Sequence, residues 1–378
     1  MPMLQPGLPF TVLVFIGVIG TLVFVHEFGH YYVARLCGVR ADAFSIGFGR
    51  EIVGWTDKRG TRWKLGWLPL GGYVKFAGDA NEASQPDAGI ERTPLAERQG
   101  LFHFAPLWQK AAITAAGPLT NFALAILIFA GFFMTYGMTS TPPVVGQVEP
   151  RSAAAAAGIV RGDRIVAIDG IAVSDFETFR SQMAINAGEP VALLIQRGGV
   201  DQKLEVQPKL LFEVDRFGNR SQRGVLGVRS GEPKFVRVGL LDAVPEAVSH
   251  TAFLVKATVK GIWQIIIGLR SVKDLGGPIK MAQLSGQQAS LGLPELIQFM
   301  AFVSINLGFI NLLPIPMLDG GHLFLYALQA VRRRPLGERV QQWAFMSGFA
   351  ALVSLMVFLT FNDLGSIGVW QHLSGLLG

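Results

Sequence analysis

Cysteine is nearly absent: the 378-residue chain contains one, Cys37. No intrachain disulfide can form, so any exported part has to fold without one. Charge is scarce as well. Asp, Glu, Lys and Arg make up 16% of the residues, against about 25% in an ordinary soluble domain. Half of the residues are hydrophobic and the mean hydropathy is +0.40, a balance that implies membrane-spanning segments. The opening stretch MPMLQPGLP has no Lys or Arg, and no small-residue cleavage site follows the apolar run behind it. Both absences speak for a retained helix rather than a cleaved signal peptide. Lys and Arg outnumber Asp and Glu by 33 to 27, yet no nucleic-acid-binding motif accompanies the surplus. Loops facing anionic lipid account for it, which makes membrane lipid the expected partner and excludes nucleic acid.

Four apolar runs are long enough to span a bilayer. The first, FTVLVFIGVIGTLVFV, continues into HEFGHYYVARL and predicts a helix over 8–37. The others predict helices over 110–138, 293–313 and 343–361. Polar residues in the first and third mark function by default. Arg35 and Arg40 follow the first helix, and Arg332, Arg333, Arg334 and Arg339 lie between the third and fourth. The positive-inside rule makes those loops cytoplasmic, with both termini and the long segment between helices two and three outside. The expected fold is an α-helical polytopic membrane protein of about four transmembrane helices. A membrane-associated β-hairpin sits on its cytoplasmic side, and an α+β domain is inserted outside.

The hairpin is expected within the loop 38–109. GWLPLGGYVKFAG alternates apolar and aromatic residues with Gly and Pro, which reads as strands with a turn over about 63–78. Trp63, Trp67 and Tyr73 could sit at headgroup level. The outer domain is expected over 143–232. Val144–Val148 reads as a strand, RGDRIVAIDG as turn, strand and turn, and DFETFRSQM as a helix. PVALLIQRGG and DQKLEVQP read as a hairpin across Gly198-Gly199, and 225–228 as a closing strand. With Ala157-Gly158-Ile159, Gly162-Asp163 and Ile168-Asp169-Gly170, this order resembles a bacterial PDZ domain. The segment 235–290 mixes apolar residues with Lys256, Lys260 and Arg270 and reads as an amphipathic connector on the membrane surface.

The chemistry concentrates in His26-Glu27-Phe28-Gly29-His30. On a helix, residues i and i+4 share a face, so both imidazoles can grip one metal ion. Glu27 beside them can act on an activated water. This is the HExxH pattern of two zinc ligands and a general base. A catalytic zinc site needs a third protein ligand. The third helix ends in NLLPIPMLDGGH, which offers Asp319 and His322 at the depth expected for the HEFGH end. Position alone leaves both open, and also leaves Asp319 open as a helix cap.

HEFGH in a first membrane helix, a PDZ-like insertion and NLLPIPMLDGGH before the last helix together resemble the site-2 protease family of intramembrane zinc metalloproteases, in its RseP-like bacterial branch. GWLPLGGYVKF, AAGPLTNFALAI and GGPIKMAQ share the likeness, which covers nearly the whole chain. The resemblance implies Zn2+ held by His26, His30 and Asp319, with Glu27 as base and Asn311 binding the substrate backbone or the oxyanion. It implies that Gly71, Gly72, Tyr73 and Val74 hold an unwound substrate strand. It implies single-pass membrane proteins as substrates, for example a pre-trimmed anti-sigma factor or remnant signal peptides. The place is the bacterial inner membrane, and C-terminal peptide ends are candidate ligands of the PDZ-like domain. Relatives in that branch often carry two tandem PDZ domains; here there is room for one. A membrane-anchored PDZ adaptor is the rival reading, and the intact Glu27 argues against it, because an adaptor has no use for a base beside a metal.

Overall fold

The computed structural model describes residues 6–81, 90, 93–186, 188–214, 220–230, 234–236, 238–268, 276–334 and 336–366. Parts of the expected outer domain and connector, at 215–219, 231–233 and 269–275, lie outside the described residues. The chain forms two compact units, one from 1–129 with 277–361 and one from 130–276 with 362–378.

Among the described residues, four helices are long and apolar enough to cross a membrane. They are α1 (Leu8–Leu36), α2 (Leu107–Tyr136), α7 (Leu293–Asn311) and α9 (Glu338–Ser366). At about 1.5 Å per residue, even the shortest matches a hydrocarbon core of roughly 30 Å. In the first unit α1 packs on α7 and on α6 (Pro278–Leu291) through Val18, Leu22, Val303, Met281 and Phe299. Gly286 of α6 lies so close to Thr11 that a Cβ there would come within 2.5 Å of its Oγ1. Among the described residues the connector has two helical parts. Its second part, α6, is packed against α1, because small residues at Ser285 and Gly286 let the backbones approach.

Between α1 and α2 lie two long strands, β1 (Ala41–Thr56) and β2 (Arg62–Phe76), joined by a turn at 57–61. The hairpin expected within 63–78 is corrected: that segment is one strand, and its partner is the preceding stretch, whose glycines interrupt the apolar alternation. Both strands bend. Gly47, Gly49 and Gly71 have positive φ, and a Cβ on Gly71 would run into the Phe48 ring. Bending lets Phe44 lie beside both Val74 and Trp63, so residues 44–46 have neighbours on both sides. Phe44 is 1% exposed, and with Tyr31, Val74, Phe76, Phe102 and Ile113 it fastens the sheet to α1 and α2. Ile52, Val53, Trp55, Trp67 and Leu68 are exposed around the bend. Of the aromatics expected at headgroup level, Trp67 is free, whereas Tyr73 is buried and Trp63 stacks on Phe44.

In the second unit, β3 (Met138–Ser140) precedes β4 (Val145–Val148) and α3 (Ala153–Ala156). Strands β5 (Arg164–Ile168), β6 (Ile171–Ala172), β7 (Val191–Arg197) and β8 (Val200–Val206) make a four-stranded sheet in the order β6-β5-β7-β8. The β7–β8 turn is Gly198-Gly199, both at positive φ, as a tight two-residue hairpin requires. Helix α4 (Phe176–Ile185) is capped by Asp175, which accepts from Thr178 N–H at 2.7 Å. A hairpin of β9 (Lys209–Val214) and β10 (Arg220–Val225) follows, then β11 (Val228–Ser230), which pairs with β4, and β12 (Lys234–Val236), which pairs with β3. Ile165, Phe179, Leu193, Ile195 and Leu226 fill the core. Helix α5 (Leu240–Ile266) follows. Its Lys260 pairs with Glu189 at 2.9 Å, and its buried Gln264 donates to the Ile185 carbonyl.

Candidate metal centre and active site

The polar end of α1 presents three residues in two directions. His26 and His30, 7% and 8% exposed, point into the protein, with Glu27 between them. The approach of α2 makes this possible. Gly29 of α1 lies against Ala116 and Thr120, and a Cβ on Gly117 would overlap His30 Nε2. Two glycines thus bring the helix axes close enough for the imidazoles to be covered.

The third contributor comes from the chain reversal after α7. Pro314 and Pro316 cannot continue that helix, and Met317 takes a left-handed backbone conformation at φ 81°. Helix α8 (Asp319–Arg332) then starts immediately. Gly320 and Gly321 are packed against the Leu312, Leu313 and Ile315 carbonyls, where any Cβ would collide. Asp319 in the first turn of α8 faces α1 rather than capping its own helix.

His26 Nε2 lies 3.2 Å from His30 Nε2 and 3.1 Å from Asp319 Oδ2, and His30 Nε2 lies 3.5 Å from the same oxygen. Among the described residues this is the trio of ligand atoms that gathers within 4.8 Å. Tetrahedral zinc with bonds of about 2.0–2.1 Å separates its ligand atoms by about 3.3 Å, which matches these spacings.

The histidine tautomers also fit a metal. His30 Nδ1 lies 2.8 Å from the Ile113 carbonyl, which only accepts, so Nδ1 carries the proton and Nε2 keeps its lone pair. His26 Nδ1 lies 3.1 Å from the Asn121 carboxamide nitrogen, while Asn121 Oδ1, fully buried, has no partner. Oxygen and nitrogen of a carboxamide exchange places on a flip. With Oδ1 on His26 Nδ1–H, the orphaned acceptor is satisfied and His26 Nε2 is left free for a metal.

These atoms open into a cavity of about 460 Å³. His26, Glu27, His30, Gly71, Gly72, Tyr73, Val74, Asn311 and Asp319 all line it, so every expected site residue is brought to one place. His322 lines it too, but its ring packs at a tilt against Phe345 and is outside the trio. Glu27 reaches the Val74 backbone, and a Cβ on Gly72 would stand 3.1 Å from Glu27 Cγ. Residues 41–46 flank 72–76 on one side, and no second strand lies along the other among the described residues. Asn121 and Gly117 were not singled out from the sequence. Gly117 and Asn121 are four apart on one helix face, and an Asn inside an apolar helix is the signal that could have found them.

Two buried histidines and a carboxylate that could hold a metal ion thus gather beside a glutamate, in a protein with helices long and apolar enough to cross a membrane. The chain belongs to Peptidase family M50, the site-2 protease family, whose model matches residues 14–355. It is a zinc metalloprotease. A protein of Agrobacterium fabrum named as a zinc metalloprotease is 47% identical over 93% of this chain and 95% of its own length. A Rhizobium meliloti protein of like name is 42% identical over 96% and 99%. Metalloprotease MmpA of Caulobacter vibrioides is 38% identical over 95% and 96%. Among solved structures, the PDZ domain of an SdrC-like protein from Listeria monocytogenes is 20% identical and covers 25% of this chain and 90% of its own. Its TM-score is 0.19, a likeness too slight to bear on the fold.

Proposed function

We propose that this metalloprotease hydrolyses peptide bonds in or near the transmembrane segment of single-pass membrane proteins, with zinc held by His26, His30 and Asp319. The observation that carries the reading is the convergence of their three ligand atoms within 4.8 Å at the end of a membrane helix, beside Glu27. Bound there, zinc supplies a Lewis acid and brings the pKa of a water toward neutrality. Glu27 takes the water proton on its carboxylate and returns it to the leaving amine. Asn311, across the cavity, donates its amide hydrogen to the carbonyl oxygen as charge develops there. A helical substrate hides its carbonyls in internal hydrogen bonds, so it has to unwind. Strand addition along Gly72–Val74 presents the bond in extended form next to Glu27.

The apolar bend of β1 and β2 dips into the cytoplasmic leaflet of a bacterial inner membrane, with the protein of the first unit covering its backbone. The segment between the second and third spans lies outside. Within it, residues 143–232 act as a PDZ-like domain. A cavity of about 590 Å³ between α4 and β11, lined by Phe176, Phe179, Met183, Leu226 and Gly227, suits an extended C-terminal peptide end. Helix α5 lies on the outer membrane surface, since Leu241, Val244, Val248, Val259, Trp263 and Ile266 are exposed at helical spacing. Anti-sigma factors trimmed on their outer side and remnant signal peptides are substrates of the right form.

The test is turnover of a single-span peptide in liposomes by the wild type and by Glu27→Gln, with zinc measured on the same samples. The variant should keep its metal and lose about 10²–10⁴-fold in rate. Full activity in zinc-loaded Glu27→Gln overturns the assignment.

A further inference from the structure

Buried Asp79 and half-buried His103 form a pair outside the metal centre, and the mechanism makes no use of it. Asp79 is 4% exposed and stands three residues past the end of β2. Its Oδ2 accepts the Phe76 backbone N–H at 3.0 Å, and its Oδ1 accepts from His103 Nε2 at 2.8 Å. His103 belongs to a single helical turn, Phe102–Phe104, that is itself pinned. Lys110 Nζ donates to the His103 carbonyl at 2.6 Å, Phe102 stacks on Phe76 at 4.8 Å, and Phe102 N–H donates to the Ala77 carbonyl at 3.4 Å.

Backbone groups of a strand alternate in direction, so those of residues 74 and 76 point to the same side. Val74 turns its backbone toward the Glu27 carboxylate. Phe76 on that side gives its N–H to Asp79 rather than to the partner strand. Two carboxylates therefore stand along the edge of β2 that no strand pairs among the described residues. Glu27 is at its centre, and Asp79 occupies the next outward donor and closes the edge. A local turn needs the Asp79 backbone, which donates to the Phe76 carbonyl at 3.1 Å. It does not need a buried side chain locked in place by a histidine 24 residues on.

We propose that Asp79, held by His103, is a positioning residue that ends the substrate-binding edge of β2 at Phe76 and so sets the register of the added strand against Glu27. This rests on the reading that substrate adds to that edge. A strand has a period of two, so an added segment can slip by two residues and keep the same side chains facing the cavity. With Phe76 N–H occupied, slip beyond the cap forfeits a hydrogen bond. With the cap gone, two registers become comparable and two peptide bonds come opposite the base.

The experiment maps by mass spectrometry the bonds that full-length protein cuts in a synthetic single-span peptide in liposomes. The wild type should give one principal cut. Asp79→Ala, with zinc content unchanged, should add a second product displaced by two residues. Asp79→Asn keeps an oxygen for Phe76 N–H and should restore the single cut, and His103→Ala should give an intermediate pattern. A folded, zinc-loaded Asp79→Ala that only slows, with the cut in place, overturns the proposal. Disulfide trapping of a cysteine-bearing peptide by Lys75→Cys, in a Glu27→Gln, Cys37→Ser background, tests the strand reading separately. No trapping anywhere along the peptide refutes strand addition, and the register role with it. Trapping with an unmoved cut refutes the register role alone.

Discussion

The carboxamide of Asn121 lies 3.1 Å from His26 Nδ1, and its other polar atom, buried to the same degree, meets nothing. An unpaired buried acceptor is costly. Both facts are met at once when Oδ1 accepts from His26 Nδ1–H, which fixes the ring in the tautomer a metal at Nε2 needs. Ser304 donates to the Asn121 backbone carbonyl at 2.8 Å, so α7 holds the α2 backbone beside the ring. Outer partners of this kind are worth 10–100-fold in metal affinity. Asn121→Ala should therefore lose zinc to a competing chelator at about that much lower concentration. Asn121→Asp, which keeps an acceptor, should hold it. Equal retention by all three proteins would remove Asn121 from the metal's support.

Asp319 and His322 can be separated by the same measurement. Asp319 contributes an oxygen 3.1 and 3.5 Å from the two imidazole nitrogens, whereas His322 turns toward Phe345 at 5.0 Å between ring centroids. Asp319→Asn should lose most of its zinc and all activity. His322→Ala should keep zinc and lose activity only in part, through the cavity wall it forms. Metal analysis of both purified variants decides between them, and an empty site in His322→Ala would mean that the ligand set is wrong.

Gly72 is the point where strand and base touch. A Cβ there would stand 2.7 Å from the Ser45 carbonyl, 2.8 Å from Val23 Cγ1 and 3.1 Å from Glu27 Cγ. Gly72→Ala has to push either the strand or Glu27 aside. A displacement of about 1 Å at a reacting group can cost around 10²-fold. Turnover should fall on that scale while zinc content and the melting temperature stay near wild type. Unchanged turnover would show that Glu27 does not act from the position seen here.

The candidate metal centre was legible because its signal is local. His26, Glu27 and His30 fall within five residues, and helical geometry alone sets two of them on one face. The four apolar helices were legible for a similar reason, as each is one continuous run. The sheet was not. Pro69, Gly71 and Gly72 carry turn chemistry, yet these glycines serve a bend and a close approach to Phe48 and Glu27. The partner strand hides its alternation behind Gly47 and Gly49. Helix α6 reads as surface by composition, and only its fit to Thr11 shows where it packs. Asn121 stood out only as a polar residue in an apolar run, and its partner, an imidazole 95 residues away, could not be read from the sequence.

An ion pair with a buried carboxylate should set the acid stability of the second unit. Asp163, 1% exposed, accepts from Arg197 through both carboxylate oxygens at 2.7 Å and from Val160 N–H at 2.9 Å. The hydrogen bonds from Arg197, aided by the Val160 amide, outweigh burial and hold the Asp163 carboxyl below the ordinary aspartate value. A depressed folded pKa means that the unfolded chain binds the proton first. The pair's contribution is therefore complete above the unfolded value of about 3.9 and drains away as pH falls through the lower folded value. In full-length protein in detergent, amide protection at Ile165 and Ile195 should hold down to about pH 5 and then fall steeply. Arg197→Met removes the partner and leaves a buried carboxylate, so protection should be lower at neutral pH and the acid slope shallower. If Arg197→Met loses protection along the same curve as the wild type, some other group sets the acid limit of this domain.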